Sequence, residues 1–222
     1  MKISMDDSIK KIVPNCRLGC VEIHGAGVKA TPAALTHEFA ELKERIAQTY
    51  DLAVLPQHPR ILSVRDMYRK LRFDPSRYRP ASEALMRRVL QQKQLYFVNS
   101  AVDVINYCSL KHLLPMGLYD LDRIEGDAVY RVAAEGNYVN IGGNEVSTEG
   151  KPFLADSAGV FGNPTSDSRR TAVTLLTRNL LLVVYAAEEV ADDEVTEILQ
   201  FSGEMLVRYN GGRIAARHIV KE

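Results

Sequence analysis

Two polar segments in the C-terminal half carry side chains that could do chemistry. The first, YDLDRIEG, places Asp120, Asp122 and Glu125 close together, and such carboxylates can hold a cation or act as general acid and base. The second, DSRRTAVTLLTRN, places hydroxyl groups beside arginines, which can orient a polar ligand. Both segments are explained equally well as structural, because Asp, Ser and Thr also support turns and strand ends. The two interpretations stay open at this point.

The signature motifs of several common enzyme classes are absent from the sequence. It contains no GxGxxG, no GxxxxGK[ST] and no GxSxG, so dinucleotide-binding, P-loop and α/β-hydrolase chemistry lack their motifs. The five histidines and three cysteines are scattered without the spacing of metal ligands. We therefore expect no metal and no cofactor, and we predict that the cysteines are reduced and pack in the core.

Positive charge is concentrated between Arg60 and Lys93, where ten basic residues occur against three acidic ones, although the whole chain has no net charge. Clustered cations attract phosphate groups, and Tyr68, Phe73 and Tyr78 are interleaved as candidate stacking groups. The alternative is a solvated helical face. The candidates for phosphate contacts, chosen for local charge density, are Arg69, Lys70, Arg77, Arg79, Arg87 and Arg88.

Hydrophobic spacing predicts the elements that position these residues. A helix of about 18 residues is expected to begin at Pro32 with Thr31 as its cap, and further helices are expected over 59–72, 81–92 and 100–112, the last capped by Ser100. From Ala128 onward short alternating segments predict strands. The apolar run 180–186 predicts a central strand, and it is followed by a helix that stops at Asn210 and by a last strand.

This alternation favours one α+β domain over 1–222, because no linker or repeat separates two units. Its helical, basic part would cover about 30–113 and would pack on a mixed, largely antiparallel sheet formed by about 114–222. No apolar segment approaches the ~20 residues that a bilayer-spanning helix needs. The N-terminus does not have the pattern of a secretory signal, so a cytoplasmic location is expected.

A family resemblance narrows the function. The residues that carry it are an N-x-x-VDV-x-NY stretch over 99–107, Pro115-Met116 ahead of YDLD at 119–122, and then Gly126, Arg131, Ala133 and Gly136. In these elements the chain resembles the editing (B3/B4) domain of the bacterial phenylalanyl-tRNA synthetase beta subunit, over about 99–184. The whole chain is similar to stand-alone B3/B4-domain proteins, which lack the aminoacylation core.

The resemblance implies a ligand pocket, since that domain of the synthetase hydrolyses tyrosine wrongly attached to phenylalanine tRNA in a pocket between its two subdomains. The candidate pocket residues in this chain are Asn106, Met116, Gly117, Tyr119, Asp120, Asp122, Arg169, Thr171, Thr174 and Asn179. The chain departs from the family pattern at two of them, with Gly117 where His is common and Arg169 where Glu is common. No catalytic residue is therefore assigned.

We predict from the charge pattern and the resemblance together that the protein is a cytoplasmic tRNA-binding module. The tRNA would be bound with or without its aminoacyl group; neither DNA nor a membrane is an expected partner, and no oligomeric state is assigned. One alternative is a trans-acting deacylase that clears mischarged tRNA. The other is an amino-acid-binding or protein-interaction module whose basic face meets an acidic partner.

Overall fold

Residues 1–221 are described by a computed structural model that contains helices and strands in both halves of the chain. The helices are α1 (Asp7–Lys10), α2 (Ala33–Thr49), α3 (Pro59–Lys70), α4 (Ala81–Leu90), α5 (Ser100–His112) and α6 (Asp192–Asn210). The strands are β1 (Ile3–Met5), β2 (Arg17–His24), β3 (Met116–Asp120), β4 (Ala128–Val132), β5 (Asn137–Val139), β6 (Glu145–Ser147), β7 (Pro152–Asp156), β8 (Gly159–Gly162), β9 (Leu180–Ala186) and β10 (Arg213–Val220). In this part of the chain, every helix is too short or too polar to cross a bilayer.

The predicted helices form, but two of their predicted caps are wrong. Thr31 does not cap α2; its hydroxyl instead donates a hydrogen bond to the carboxylate of Asp103. The cap of α5 is Asn99, whose side chain accepts hydrogen bonds from the amides of Ala101 and Val102 at 3.1 and 2.9 Å. Ser100 is free for a long-range contact, because a neighbouring asparagine already satisfies the first amides of the helix.

Two four-stranded sheets and a small hairpin make up the β-structure. One sheet has the order β10-β2-β9-β3 with every neighbouring pair antiparallel. The other has the order β1-β4-β7-β8, in which only the β1–β4 pair is parallel. The strands β5 and β6 pair with each other. The predicted α+β class with mixed, largely antiparallel sheet is confirmed.

Strand β9 lies inside its sheet, and all seven of its residues are buried. This explains its continuous apolar sequence, since a strand covered on both faces has no polar side to alternate with. The helices α5 and α6 pack against each other, and α6 also covers β2 and β10. Cys16, Cys20 and Cys108 are buried free thiols, as predicted, and burial raises the pKa of each to about 12.

Candidate functional site

The basic segment folds into α3, α4 and the loop between them, and a buried carboxylate organises it. The side chain of Glu83, on α4, is fully buried and pairs with Arg65 at 3.0 Å, with Arg87 at 2.9 Å and with Arg79 at 3.7 Å. A buried carboxylate needs such partners, because an unpaired charge in the interior is costly. One negative charge balances only one of the three arginines, so the surface around α4 keeps an excess of positive charge.

The other predicted phosphate-binding residues differ in whether a nearby carboxylate already pairs with them. At the end of α3, Arg69 pairs with Asp66 and Lys70 pairs with Glu188. Arg77 is exposed, and its guanidinium lies 5.2 Å from the centre of the Tyr78 ring. Ion pairs with nearby carboxylates make the first two residues weaker candidates, since an incoming phosphate would have to compete with them.

A depression of about 350 Å³ on the surface of α4 brings several of the cations together. It is lined by Arg79, Ala84, Arg87, Arg88, Gln91 and Lys93, and no acidic residue is among them. Arg88 donates a hydrogen bond to the backbone oxygen of Gln94 at 2.7 Å, which leaves its charge uncompensated. Lys93, which local density alone did not select, is exposed and belongs to the same depression. The basic depression is therefore the strongest anion-attracting feature of the predicted interface.

Four of the predicted pocket residues, Met116, Gly117, Tyr119 and Asp120, lie on β3. The Tyr119 ring fills the space between Gly117 and Gly162 of β8, because a Cβ atom added to either glycine would lie 2.0 or 2.3 Å from the Tyr119 hydroxyl. Tyr119 itself is fully buried. In this arrangement the tyrosine ring occupies the space beside Gly117. The predicted deacylase activity stays a prediction.

The hydroxyl of Tyr119 belongs to a buried cluster that the sequence did not reveal. It donates a hydrogen bond to Asp167 at 2.8 Å and lies 2.8 Å from the hydroxyl of Tyr185. Burial raises the pKa of the largely buried Asp167 to about 7. The hydrogen bonds that its carboxylate accepts from the Tyr119 hydroxyl and from the backbone amide of Asn163 lower this pKa. Asp167 was missed because its partners lie on strands distant in the sequence and no motif marks it.

Asp120, Asp122 and Asn179 form a second group, at the ends of β3 and β9. Asp120 accepts a hydrogen bond from the Thr177 hydroxyl at 2.8 Å, and the Asn179 amide donates to both oxygens of Asp122 at 2.8 and 3.1 Å. Asn179 also accepts a hydrogen bond from the Gly25 amide at 3.2 Å. These bonds join three turns, which is the structural role that the sequence left open for the YDLD segment.

The remaining pocket candidates are dispersed. Thr171 is fully buried and Met116 nearly so, whereas Thr174 and Arg169 are exposed. Asn106 lies on α5, where it lines a separate cavity of about 250 Å³ with Phe39, Leu85 and Tyr96 among others. The ten candidates thus fall into several places, and their role in ligand binding stays a prediction.

Comparison with known proteins places this geometry in a family. Residues 63–212 match the family described as the B3/4 domain, a range that starts within α3, continues past the end of α6 and includes the basic depression and Tyr119. One relative is the phenylalanine–tRNA ligase beta subunit of Bordetella parapertussis, which is 28% identical over 192 residues, 81% of this chain and 23% of the relative. Another is the same subunit from Pectobacterium atrosepticum, 33% identical over 110 residues, 46% of this chain and 13% of the relative.

Among solved structures, an N-terminal fragment of the phenylalanyl-tRNA synthetase beta subunit from Pyrococcus horikoshii is similar over 100% of this chain and 54% of that one, with 16% identity and a TM-score of 0.46. The chain spans less than a quarter of the length of the two ligase subunits that it matches. The resemblance expected from the sequence is confirmed by the family match over 63–212. Because that match covers about two thirds of the 222 residues, the chain belongs to the B3/4 domain family.

Proposed function

We propose that this protein is a tRNA-binding module, and that its basic depression contacts RNA phosphates. The observation that carries the proposal is the group of four cations, Arg79, Arg87, Arg88 and Lys93, in one concave surface without an acidic lining residue. Phosphate contacts from Arg and Lys supply most of the sequence-independent affinity for nucleic acid. The similarity to subunits of tRNA ligases makes tRNA the first RNA to test.

The attraction is local, since the chain as a whole has no net charge. Negative charge is concentrated elsewhere, and part of it lies at the start of α6, where Asp192, Asp193 and Glu194 occupy the first turn. An RNA strand would therefore place its phosphates on the basic depression of α4. The cytoplasmic location expected from the sequence agrees with this partner.

The experiment is a titration of the full chain with uncharged and aminoacylated tRNA at two salt concentrations, followed by fluorescence anisotropy. Binding should weaken steeply as salt rises, because each phosphate contact releases counterions. In the double variant Arg88→Gln/Lys93→Gln, the slope of log K against log salt should fall by about 1 to 2. These two residues are chosen because neither pairs with Glu83, so the buried ion-pair cluster stays intact.

The matched control is Arg213→Gln/Arg217→Gln, which removes the same charge from exposed positions on β10. It should leave the salt slope unchanged, although the net charge falls equally. Equal loss of affinity in both double variants would mean that only net charge matters and would contradict a site on α4. Absence of binding to wild-type protein at low salt would contradict the proposed function itself.

A further inference from the structure

A second concave surface, lined in part by the α3–α4 loop, belongs neither to the predicted pocket nor to the basic depression. It is a cavity of about 450 Å³ that lies where α1, the loop after α3 and the sheet containing β4 meet. Its apolar wall comes from Ile12, Leu71, Phe73, Tyr78 and Val132. Both the volume and the mainly apolar lining are typical of sites for small organic molecules.

The aromatic part of the wall is fixed by stacking. The rings of Phe73 and Tyr78 are 4.6 Å apart between centroids with an angle of 16° between their planes. Phe73 is buried, which holds the pair against the core. These side chains are already ordered, which lowers the entropy cost of binding a ligand against the wall.

Positive charge surrounds this wall. Arg72 and Lys151 line the cavity together with one carboxylate, that of Glu149. The Lys151 ammonium lies 4.8 Å from the centre of the Tyr78 ring, and the Arg77 guanidinium lies 5.2 Å from it. Within the described part of the chain, Arg72 makes no ion pair. The cavity therefore combines an apolar interior with a surplus of cations, which suits a flat ring that carries an anionic group.

The backbone of Arg72 has a conformation that glycine adopts more easily than arginine. Its φ is 57°, in the left-handed region that glycine adopts without cost and that usually ends a helix. An arginine at this position directs a charged side chain to the cavity from the end of α3.

The cavity also adjoins the basic depression. Tyr78 lines the cavity and the next residue, Arg79, lines the depression. An RNA strand on α4 that continues across this loop would bring another of its nucleotides to the cavity. Proteins that bind single-stranded RNA commonly combine a basic groove with an apolar or aromatic site for an unstacked base.

We propose that this cavity binds one nucleotide unit, with the base against the apolar wall and the phosphate between Arg72 and Lys151. The nucleotide can belong to an RNA strand, in which case the proposal rests on the proposed tRNA binding. It can also be a free nucleoside monophosphate, which presents the same base and phosphate groups. Glu149 can accept a hydrogen bond from a ribose hydroxyl or a base amino group.

The experiment has two arms, both with the full chain. In the first, nucleoside 5′-monophosphates, the matching nucleosides and inorganic phosphate are titrated while the amide resonances of Gly150 and Val132, at the cavity, are followed by NMR. Monophosphates should shift these resonances and bind about tenfold more tightly than nucleosides, because the phosphate gains charge-assisted hydrogen bonds. In the second arm, tRNA affinity is measured for the same variants.

Arg72→Gly is the central variant, because it removes the cation at a φ that glycine tolerates and so preserves the fold. It should weaken monophosphate binding about tenfold. Gln92→Gly is the matched control, since Gln92 follows α4 with a φ of 55° and does not line the cavity. Ile12→Trp fills the cavity from a side chain that is 43% exposed and should abolish binding, whereas Ile12→Val should not.

The outcomes separate this inference from the proposed function. If wild-type protein binds tRNA and both Arg72→Gly and Ile12→Trp bind it equally well, with no response to monophosphates, the nucleotide site is refuted and tRNA binding stands. If monophosphates bind at the cavity but tRNA does not bind at low salt, the free nucleotide is the ligand and the proposed function fails. If Arg72→Gly and Ile12→Trp lose affinity for both monophosphates and tRNA, while Gln92→Gly and Ile12→Val keep it, the ligand is a nucleotide of the RNA strand.

Discussion

Replacing Asp167 by asparagine should stabilise the protein above pH 7 and change its stability little near pH 4. The carboxyl group lies in the buried cluster with Tyr119 and Tyr185, where burial raises its pKa to about 7 from an ordinary value of 3.8. Asparagine keeps an oxygen that can accept the hydrogen bonds from Tyr119 and from the Asn163 amide, yet it carries no charge at any pH.

The sign of the pH dependence follows from the number of protons bound at Asp167 in the folded and the unfolded protein. Between pH 4 and pH 7 the folded protein binds a proton at Asp167 that the unfolded chain has already released, so the free energy of unfolding falls as pH rises. A difference of about three pKa units corresponds to about 4 kcal/mol. In wild-type protein this contribution is fully present below pH 4 and is lost as pH rises through about 7. Asp167→Asn removes this pH dependence.

Tyr119→Phe provides an independent check on the same group. The Tyr119 hydroxyl lowers the pKa of Asp167 by donating to its carboxylate, so its removal should raise that pKa further. The loss of stability should then start near pH 4, as in wild-type protein, but continue to a higher pH. The variant should also be less stable by about 1–3 kcal/mol, because buried partners lose a hydrogen bond.

The assay is urea unfolding at half-unit steps from pH 4 to pH 8.5, with wild-type protein, both variants and Asp74→Asn. Asp74 is exposed on the loop between α3 and α4, so its replacement should leave the pH dependence over this range unchanged. The reasoning is refuted if the difference in unfolding free energy between Asp167→Asn and wild-type protein is the same at pH 4 and pH 8.

Three further substitutions test individual packing and hydrogen-bond contacts. Gly162→Ala should destabilise the protein by about 1–3 kcal/mol, measured by thermal unfolding, because the new Cβ would meet the Tyr119 ring; a Tyr119→Ala background should relieve this cost. Arg170→Ala should cost about 3–5 kcal/mol in urea unfolding, because the fully buried side chain of Asp156 would lose its charged partner and the two bonds at 2.8 and 3.0 Å. It would keep only the hydrogen bonds from the backbone amides of Glu125 and Ala158. A cost under about 1 kcal/mol would contradict a stabilising role for the ion pair. Asn99→Ala should cost about 1 kcal/mol in urea unfolding through loss of the α5 cap.

Much of the fold could be predicted from local sequence. The helix α2 follows from Leu35, Phe39 and Leu42, which recur at helical spacing and are buried on one face. The central strand β9 follows from its unbroken apolar run. Both patterns are read within one element, which is why they are visible without knowledge of the partners. The helix caps could be predicted less reliably, because the side chains of Thr31, Asn99 and Ser100 are all suited to capping. In the folded protein, Thr31 and Ser100 bind distant residues and Asn99 caps its helix.

The candidate interface could be predicted as a region but not residue by residue. Local charge density selected Arg69 and Lys70 as readily as Arg87 and Arg88. Lys70 pairs with Glu188, which is 118 residues away in the sequence, so its reduced availability is a property of the folded chain. Lys93 joins the basic depression only because the chain turns after α4.

The sequence by itself determined the α+β class, the family and the concentration of positive charge, because each depends on residue types and their order. The tertiary structure decided three things. It fills the space beside Gly117 with Tyr119, it places Asp167 in a cluster with two buried tyrosines, and it forms a cavity from segments near residues 12, 72 and 150. Each depends on residues brought together from distant parts of the chain, and packing between such residues leaves no periodic pattern in the sequence.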